Sequence, residues 1–224
     1  MLTTMNKEQL EIINKTIDFV KRELASAEGG HDWWHVYRVW KTASIIALEE
    51  RANELIVQLA ALLHDIADSK FHDGNENIGP EKAITFLKEI ELDEGNISHI
   101  ESIIRNMSFK NTFEKNNNFS SIELDVVRDA DRLDAIGAIG IARTFNYGGH
   151  KGSEIYNPNM KPNLNMTKEE YKKSNSPTIN HFYEKLFLLK DMMNTNTGKK
   201  LAEGRNKFMK DYLKQFYGEW EGRI

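Results

Sequence analysis

The residues of this chain whose types could do chemistry together are two histidines and a set of aspartates. The pair His64-Asp65 lies inside the apolar run LIVQLAALLHDIAD, residues 55–68. An imidazole next to a carboxylate in such a run carries a large desolvation cost unless something satisfies both groups. A divalent metal ion does so, because it accepts imidazole nitrogens and carboxylate oxygens as ligands. The sequence therefore predicts a metal site, with His35 and an aspartate of DADRLDA, residues 129–135, as further ligands.

A second metal pattern overlaps the first. His31 and His35 are four residues apart in HDWWH, which is similar to the zinc-protease motif HExxH with aspartate in place of glutamate. The glycine pair at 29–30 would put His31 at a helix end, whereas that motif normally needs a well-buried helix interior. The shorter aspartate would also place the catalytic base differently. We therefore disfavour a zinc peptidase.

Eight segments with apolar residues at helical spacing must position these side chains. The predicted helices cover 7–25, 32–50, 53–67, 80–90, 94–107, 121–145, 178–193 and 196–217. The first is expected to bury Leu10, Ile13, Ile17, Val20 and Leu24, and the last Leu201, Phe208, Tyr212 and Phe216. Gly137 and Gly140 are expected at points of close packing. With no strand hairpin, repeat or linker, the sequence predicts an all-α, single-domain helical bundle over residues 1–224.

The segment from Tyr147 to Pro177 breaks this pattern. It is rich in Gly, Asn, Lys and Pro, and it is long for a connection within a compact domain. We predict a lid or a partly helical excursion at 147–177. Gly148, Gly149 and Gly152 would be its flexible points, and His150 and Lys151 its polar contacts.

The composition of the 224-residue chain narrows the class of protein. A net charge of −4 gives no general basic field, so no nucleic-acid duplex is expected as a partner. There is no cysteine, which excludes disulfides and cysteine-ligated zinc and agrees with a cytoplasmic location. The N-terminal segment lacks a signal-peptide core, and no apolar stretch reaches the roughly 20 residues of a membrane span. We expect a cytoplasmic protein with no membrane partner, and we leave a homodimer open.

Four segments, taken in order, resemble one family. These are HDWWHVYRV, LAALLHDIAD, DADRLDAIGAIGIAR and HFYEKLFLLKDMMNT, and they contain the ordered pattern H…HD…D. They are similar to the HD-domain phosphohydrolase superfamily, in particular its small bacterial YpgQ/YedJ-like group, over most of the chain. The resemblance implies an HD-type all-α fold, one divalent metal ion (Mn, Ni, Co, Fe, Mg or Zn) and hydrolysis of phosphate esters or anhydrides.

The same resemblance implies roles for individual residues. The metal ligands would be His35, His64, Asp65 and Asp131. Asp131 is preferred because the ligand in such proteins is the aspartate just before Arg/Lys-Leu, and Asp129 and Asp134 are then expected on the helix surface or in caps. Asp68, four residues after His64, would lie on the same helix face and orient or deprotonate the attacking water, since some HD hydrolases have an acidic residue there.

Cationic side chains are expected to hold the phosphate groups of the substrate, because Lys and Arg match phosphate oxygens. The resemblance favours those near the four segments. The candidates are Arg38, Lys110, Arg143, His181 and Lys185. The spare histidines His72 and His99 lie in no recognisable ligand pattern, so a second metal ion is not expected.

The predicted function is that of a metal-dependent phosphohydrolase whose partner is a small phosphorylated substrate, most simply a nucleotide. The group it resembles favours cleavage of a (deoxy)nucleoside triphosphate to the monophosphate and pyrophosphate. A 5′-nucleotidase or cyclic-nucleotide phosphodiesterase is an alternative within the same chemistry. A non-catalytic HD domain that binds a nucleotide or metal is the alternative outside it, although the intact ligand set speaks against a retired site.

Overall fold

Helices make up the regular structure of the computed structural model, which describes residues 5–25, 32–67, 75, 77–107, 119–167 and 175–224. They are α1 (Lys7–Glu23), α2 (Trp33–Glu50), α3 (Glu54–Leu63), α4 (Ile78–Glu89), α5 (Glu94–Asn106), α6 (Ile122–Asp134), α7 (Gly137–Lys151), α8 (Asn180–Glu184), a 3₁₀ helix (Leu186–Met192) and α9 (Asn196–Trp220). These ranges contain no strand, which confirms the predicted all-α fold. Among the same residues, no helix combines the length and apolar character that crossing a bilayer demands.

The chain folds as two compact units. The first covers Met1–Asp131 and contains α1 to α5 with most of α6. The second covers Arg132–Ile224 and contains the last residues of α6, the helices α7 to α9 and the 3₁₀ helix. We predicted one HD-type domain over residues 1–224, and this remains a prediction.

The helix α3 is the centre of the first unit. Every residue from Leu55 to Leu63 is buried, as suits a helix that is apolar nearly all round. The helices α1, α2 and α5 all pack against it. The face that α2 buries was predicted correctly and consists of Val36, Val39, Ala43, Ile46 and Ala47. Asn53 caps the first turn of α3, where its side chain accepts a hydrogen bond from the Ile56 N–H.

Two helices depart from the predicted buried face, α1 at Leu10 alone, since Ile13, Val20 and Leu24 are buried as predicted, and α9 over most of its length. In α1, Leu10 is half-exposed, whereas Thr16 is fully buried and donates its hydroxyl to the Ile12 carbonyl, which offsets the cost of burying it. In α9, Phe208 is exposed. The buried residues of α9 are Gly198, Ala202, Asn206, Met209 and Leu213. Gly198 and Ala202 are small enough to favour close packing, and a pattern of large apolar residues does not reveal such positions.

The predicted helix over 121–145 is two helices with a corner at Ala135-Ile136. Gly137 begins α7 with φ of +76°, a conformation that glycine adopts at little cost. A Cβ on Gly140 would overlap the carbonyl of Ala135. The two glycines therefore permit close packing as predicted, but at a corner between helices and not within one helix.

The irregular segment within 147–177 begins later than predicted, because α7 continues to Lys151. Gly148 and Gly149 therefore lie inside a helix. Gly148 is buried, and a Cβ there would overlap the Thr178 side chain, so it serves a close approach and is not a flexible point. Gly152 ends the helix with φ of +66°.

Backbone hydrogen bonds fasten the segment after Gly152 to the chain that follows it. The Thr178 and Ile179 N–H groups donate to the carbonyls of Glu154 and Ile155 over 2.8 and 3.0 Å. Residues 168–174 lie outside the described part of the chain. The irregular segment is thus partly helical, and its role as a lid stays a prediction.

The predicted helix over 178–193 is broken. It consists of the short helix α8 and the 3₁₀ helix, separated by Lys185 with φ of −142° and ψ of −55°. The predicted apolar stripe is nevertheless buried, and its members are Ile179, Phe182, Leu186, Leu189 and Met193.

Candidate metal centre

Three helices of the first unit bring three of the four predicted ligands, His35, His64 and Asp131, within ligand distance of one another, and Asp65 lies close to His35. His35 lies in the first turn of α2 and Asp131 in the last turn of α6. His64 and Asp65 directly follow α3, which ends at Leu63 and not at residue 67 as predicted. The pair therefore lies where the chain leaves the buried helix, and not within its apolar wall.

The donor atoms of this cluster converge. His35 Nε2 lies 3.5 Å from Asp131 Oδ1 and 3.9 Å from Asp65 Oδ2. His64 Nε2 lies 3.9 Å from the same Asp131 oxygen. His35, His64 and Asp131 each offer one ligand atom, and these three atoms all lie within 4.8 Å of one another. The three residues can therefore hold a metal ion.

The spacing of these atoms fits a shared cation. Hydrogen bonds between nitrogen and oxygen are about 2.9 Å long, so separations of 3.5 and 3.9 Å are too great for direct bonds of that kind. Ligand atoms about 2.1 Å from one tetrahedral or octahedral ion are roughly 3 to 4 Å apart. Two carboxylates beside two imidazoles also favour a divalent positive charge among them.

The backbone fixes the tautomer of His64. Its Nδ1 lies 2.8 Å from the Ala61 carbonyl oxygen, which can only accept a hydrogen bond. Nδ1 therefore carries the proton, and Nε2 presents its lone pair on the side of Asp131. A ring nitrogen held in this way is the usual support of a metal-ligating histidine. Sequence reasoning missed Ala61, since a backbone acceptor leaves no mark in the residue type.

A capping residue supports His35. Asp32 is the N-cap of α2, and its carboxylate accepts a hydrogen bond from the His35 N–H over 2.9 Å. This contact also counts against the zinc-peptidase alternative. The carboxylate that would act as its base caps the helix, and α2 begins only at Trp33, after His31, which lies outside the described residues.

Burial differs among the ligands. The side chains of His35 and His64 are 4% and 6% exposed, whereas that of Asp131 is 42% exposed. The histidines thus form the enclosed side of the cluster, and Asp131 forms its solvent side. Water and a substrate can reach the cluster there.

The other two aspartates of DADRLDA are buried, contrary to the prediction. Asp129 is fully buried, and Asp134 is 4% exposed. Both follow the inward face of α6, because Asp129 lies three residues after Val126 and four before Leu133. The Asp134 carboxylate pairs with Arg143, whose Nη1 is 2.7 Å away. Helical spacing from Val126 could have signalled this burial.

The predicted substrate residues fall in different parts of the structure. Arg38 lies on α2, one turn after His35. Arg143 belongs to the second unit and is engaged by Asp134. His181 and Lys185 are also in the second unit, and Lys185 ends α8. Lys110 and the predicted base Asp68 lie outside the described residues, as does His72.

His181 does not supply a positive charge near neutral pH. Burial and then the charge of Lys185 lower its pKa to about 4, so the ring is neutral. This corrects its place among the cations expected to hold phosphate. A neutral imidazole can still donate or accept a hydrogen bond.

His99 is occupied away from the metal cluster, as its lack of a ligand pattern predicted. Its Nε2 lies 3.2 Å from Ser121 Oγ and 3.5 Å from Glu123 Oε2. The other oxygen of Glu123 accepts a hydrogen bond from the Asn53 N–H at the start of α3. These contacts join α3, α5 and α6 at the ends where α3 and α6 begin.

Comparisons with known proteins agree with this geometry. The family model described as HD domain matches residues 33–136, a range that contains all four predicted ligands. The uncharacterized protein YpgQ of Bacillus subtilis is 37% identical over 197 residues, which are 88% of either chain.

Solved structures extend the similarity to the fold. A crystal structure of an HD-superfamily hydrolase from Bacillus thuringiensis has a TM-score of 0.78 and 43% identity, and the match covers 95% of this chain and 98% of that one. The crystal structure of Bacillus subtilis YpgQ in complex with ADP has a TM-score of 0.75 and 34% identity, covering 95% and 96% of the two chains. The order of the ligands, the all-α fold and these relatives together place the chain in the HD-domain superfamily of hydrolases.

Proposed function

We propose that this protein is a metal-dependent phosphohydrolase that cleaves nucleoside or deoxynucleoside triphosphates to the monophosphate and pyrophosphate. The observation that carries the proposal is the convergence of His35, His64 and Asp131 at the spacing of ligands around one cation. Within the superfamily, the ADP complex of YpgQ supports a nucleotide as the ligand.

Each ligand-bearing residue contributes in its own way. His35 and His64 offer nitrogen donors from a buried wall, and Asp65 and Asp131 add carboxylates. A divalent cation held by these residues supplies a water of lowered pKa and neutralises phosphate charge. No cysteine is present, and the proposal needs no covalent nucleophile.

Other residues are proposed to act on the water and on the substrate. Asp68 would orient the attacking water or accept its proton. Arg38, one turn from His35 on α2, would donate hydrogen bonds to phosphate oxygens. Lys110, Arg143, His181 and Lys185 remain proposed substrate contacts, with Arg143 already paired to Asp134 and His181 neutral.

The proposal is tested by product identification after metal removal. The protein is treated with a chelator, dialysed, and supplied separately with Mn, Ni, Co, Fe, Mg or Zn. A panel of nucleoside and deoxynucleoside triphosphates, monophosphates and cyclic nucleotides follows, with products separated by anion exchange. We expect metal-dependent release of pyrophosphate from triphosphates, lost in His64→Ala and kept in His99→Ala, a matched histidine variant outside the cluster.

Other products would replace the proposal with a named alternative. Phosphate released from monophosphates indicates a 5′-nucleotidase, and opening of cyclic nucleotides indicates a phosphodiesterase. Metal binding with no turnover of any nucleotide indicates a non-catalytic binding domain. Peptide cleavage that is lost in both His31→Ala and His35→Ala would support the zinc-peptidase alternative.

A further inference from the structure

An exposed indole lies next in sequence to a residue of the metal cluster. Trp34 directly precedes the predicted ligand His35 in α2, and it is 60% exposed, whereas His35 is buried. A large aromatic side chain that gives this much apolar surface to water beside a ligand cluster is a candidate contact for a ligand.

Helix geometry relates Trp34 to the cluster through Arg38. Successive residues of an α-helix are rotated by about 100°, and residues three or four apart are neighbours on its surface. Arg38 is four residues from Trp34 and three from His35, so it lies one turn beyond both. Around α2 the order is therefore the ligand His35, the cation Arg38 and the aromatic Trp34, with Trp34 farthest from the buried face.

A ladder of aromatic rings supports Trp34. The Tyr37 ring meets it edge-on, with centroids 5.9 Å apart and planes at 78°. Tyr37 in turn meets Trp40 edge-on at 6.0 Å. Trp40 Nε1 donates to Gln58 Oε1 over 2.9 Å, which fastens the ladder to the central helix α3. Side chains held in this way lose little further freedom when a ligand binds.

We propose that Trp34 stacks against the base of the nucleotide whose phosphate groups reach the metal cluster. This inference rests on the proposed nucleotide substrate and narrows it. Aromatic stacking is favourable for every base, because each has a π-face. The enzyme therefore accepts nucleotides of purines and pyrimidines alike, and a base improves binding over the phosphate chain alone.

Equilibrium binding tests this role without depending on turnover. The affinities of ADP and of inorganic pyrophosphate, its counterpart without the nucleoside, are measured by calorimetry in the presence of Mn²⁺. Loss of one stacked base costs about 1–3 kcal/mol, so Trp34→Ala is expected to weaken ADP roughly 10-fold and to leave pyrophosphate unchanged. Trp34→Phe should keep most of the affinity, which also excludes a folding defect as the cause.

The control is Ile45→Ala. Ile45 is 59% exposed on the same helix, three turns away from Trp34, and its removal should leave ADP affinity at the wild-type level. The inference is overturned if the wild type does not bind ADP, if Trp34→Ala binds ADP within twofold of wild type, or if pyrophosphate weakens equally. The inference is also overturned if size-exclusion chromatography shows that Trp34→Ala and Ile45→Ala both convert a dimer to a monomer and neither has any other effect. A chain that binds ADP through Trp34 but hydrolyses no triphosphate would refute the proposed reaction alone.

Discussion

Arg143 and Asp134 form an ion pair at the corner between α6 and α7, with Nη1 and Oδ2 2.7 Å apart. The same nitrogen lies 3.4 Å from the Asp134 carbonyl oxygen. The carboxylate is 4% exposed, so it depends on this partner. A residue predicted to hold substrate phosphate therefore has a structural contact that mutation would break.

Arg143→Met should lower the free energy of unfolding by about 3 kcal/mol, because it leaves a buried carboxylate without this partner. Urea unfolding measures the loss. The double variant with Asp134→Leu should recover much of it, since the buried carboxylate is then also removed. If Arg143→Met unfolds like wild type and only the KM for nucleotide rises, then Arg143 is a substrate contact and not a structural one.

Asp131→Ala and His64→Ala should each abolish stable metal binding, because each removes one of only a few convergent donors. The measurement is elemental analysis after dialysis, together with Mn²⁺ titration followed by electron paramagnetic resonance. Asp129→Asn is the matched aspartate control and should retain the metal, provided that circular dichroism shows it folded. Retention of stoichiometric metal by Asp131→Ala would remove Asp131 from the ligand set.

Asp68→Ala should spare metal binding and lower kcat by about 10²–10⁴, the usual worth of a general base. Steady-state kinetics and metal content are measured on the same sample. Asp68→Asn is the conservative companion, because it can still orient a water but cannot take its proton. Wild-type turnover in Asp68→Ala would exclude the residue from the reaction.

His181 should make the protein less stable in mild acid. Its folded-state pKa is about 4, whereas an unfolded histidine titrates near 6.5. Between these values the unfolded chain binds a proton that the folded chain does not. The free energy of unfolding is therefore full above about pH 6.5 and falls as the pH drops toward 4.

The matching measurement is urea unfolding of wild type and His181→Gln at about pH 7.5 and pH 5. The wild type should lose up to about 2 kcal/mol more than the variant between these conditions. The comparison with the variant removes the contribution of the carboxylates that titrate in the same range. Equal losses in the two proteins would show that His181 is not a buried neutral histidine.

Periodicity predicted where helices occur but not how each one ends. Ile66 and Ala67 continue the apolar pattern of α3 beyond His64-Asp65, so periodicity does not indicate that the helix ends at Leu63. The break at Lys185 likewise carries no glycine or proline. At Gly137, by contrast, a signal was present, because a glycine inside a helical pattern often marks a turn. Tertiary packing determines where such helices end, and the apolar pattern of a single segment contains no information about that packing.

The sequence predicted which residue types form the candidate site, but it did not predict the burial and hydrogen bonds that hold them in place. Adjacent polar residues in an apolar run indicated a metal ion, and resemblance to a family selected Asp131 among three aspartates. The burial of Asp129 depends on the phase of α6, and the tautomer of His64 depends on a carbonyl of Ala61. Contacts with backbone atoms leave no trace in residue types, so only a structure reveals them.

The predicted ligands lie at or next to the ends of three separate helices, so the proposed metal ion would couple the free energy of unfolding to the metal concentration. An unfolded chain keeps His35, His64 and Asp131 far apart, so tight coordination is available to the native state alone. Saturation at 100 times the dissociation constant adds about 2.7 kcal/mol to native stability. If the cluster binds a cation as proposed, we expect a chelator to act on this protein as a mild denaturant, and we expect the melting temperature to rise with the free concentration of the cation.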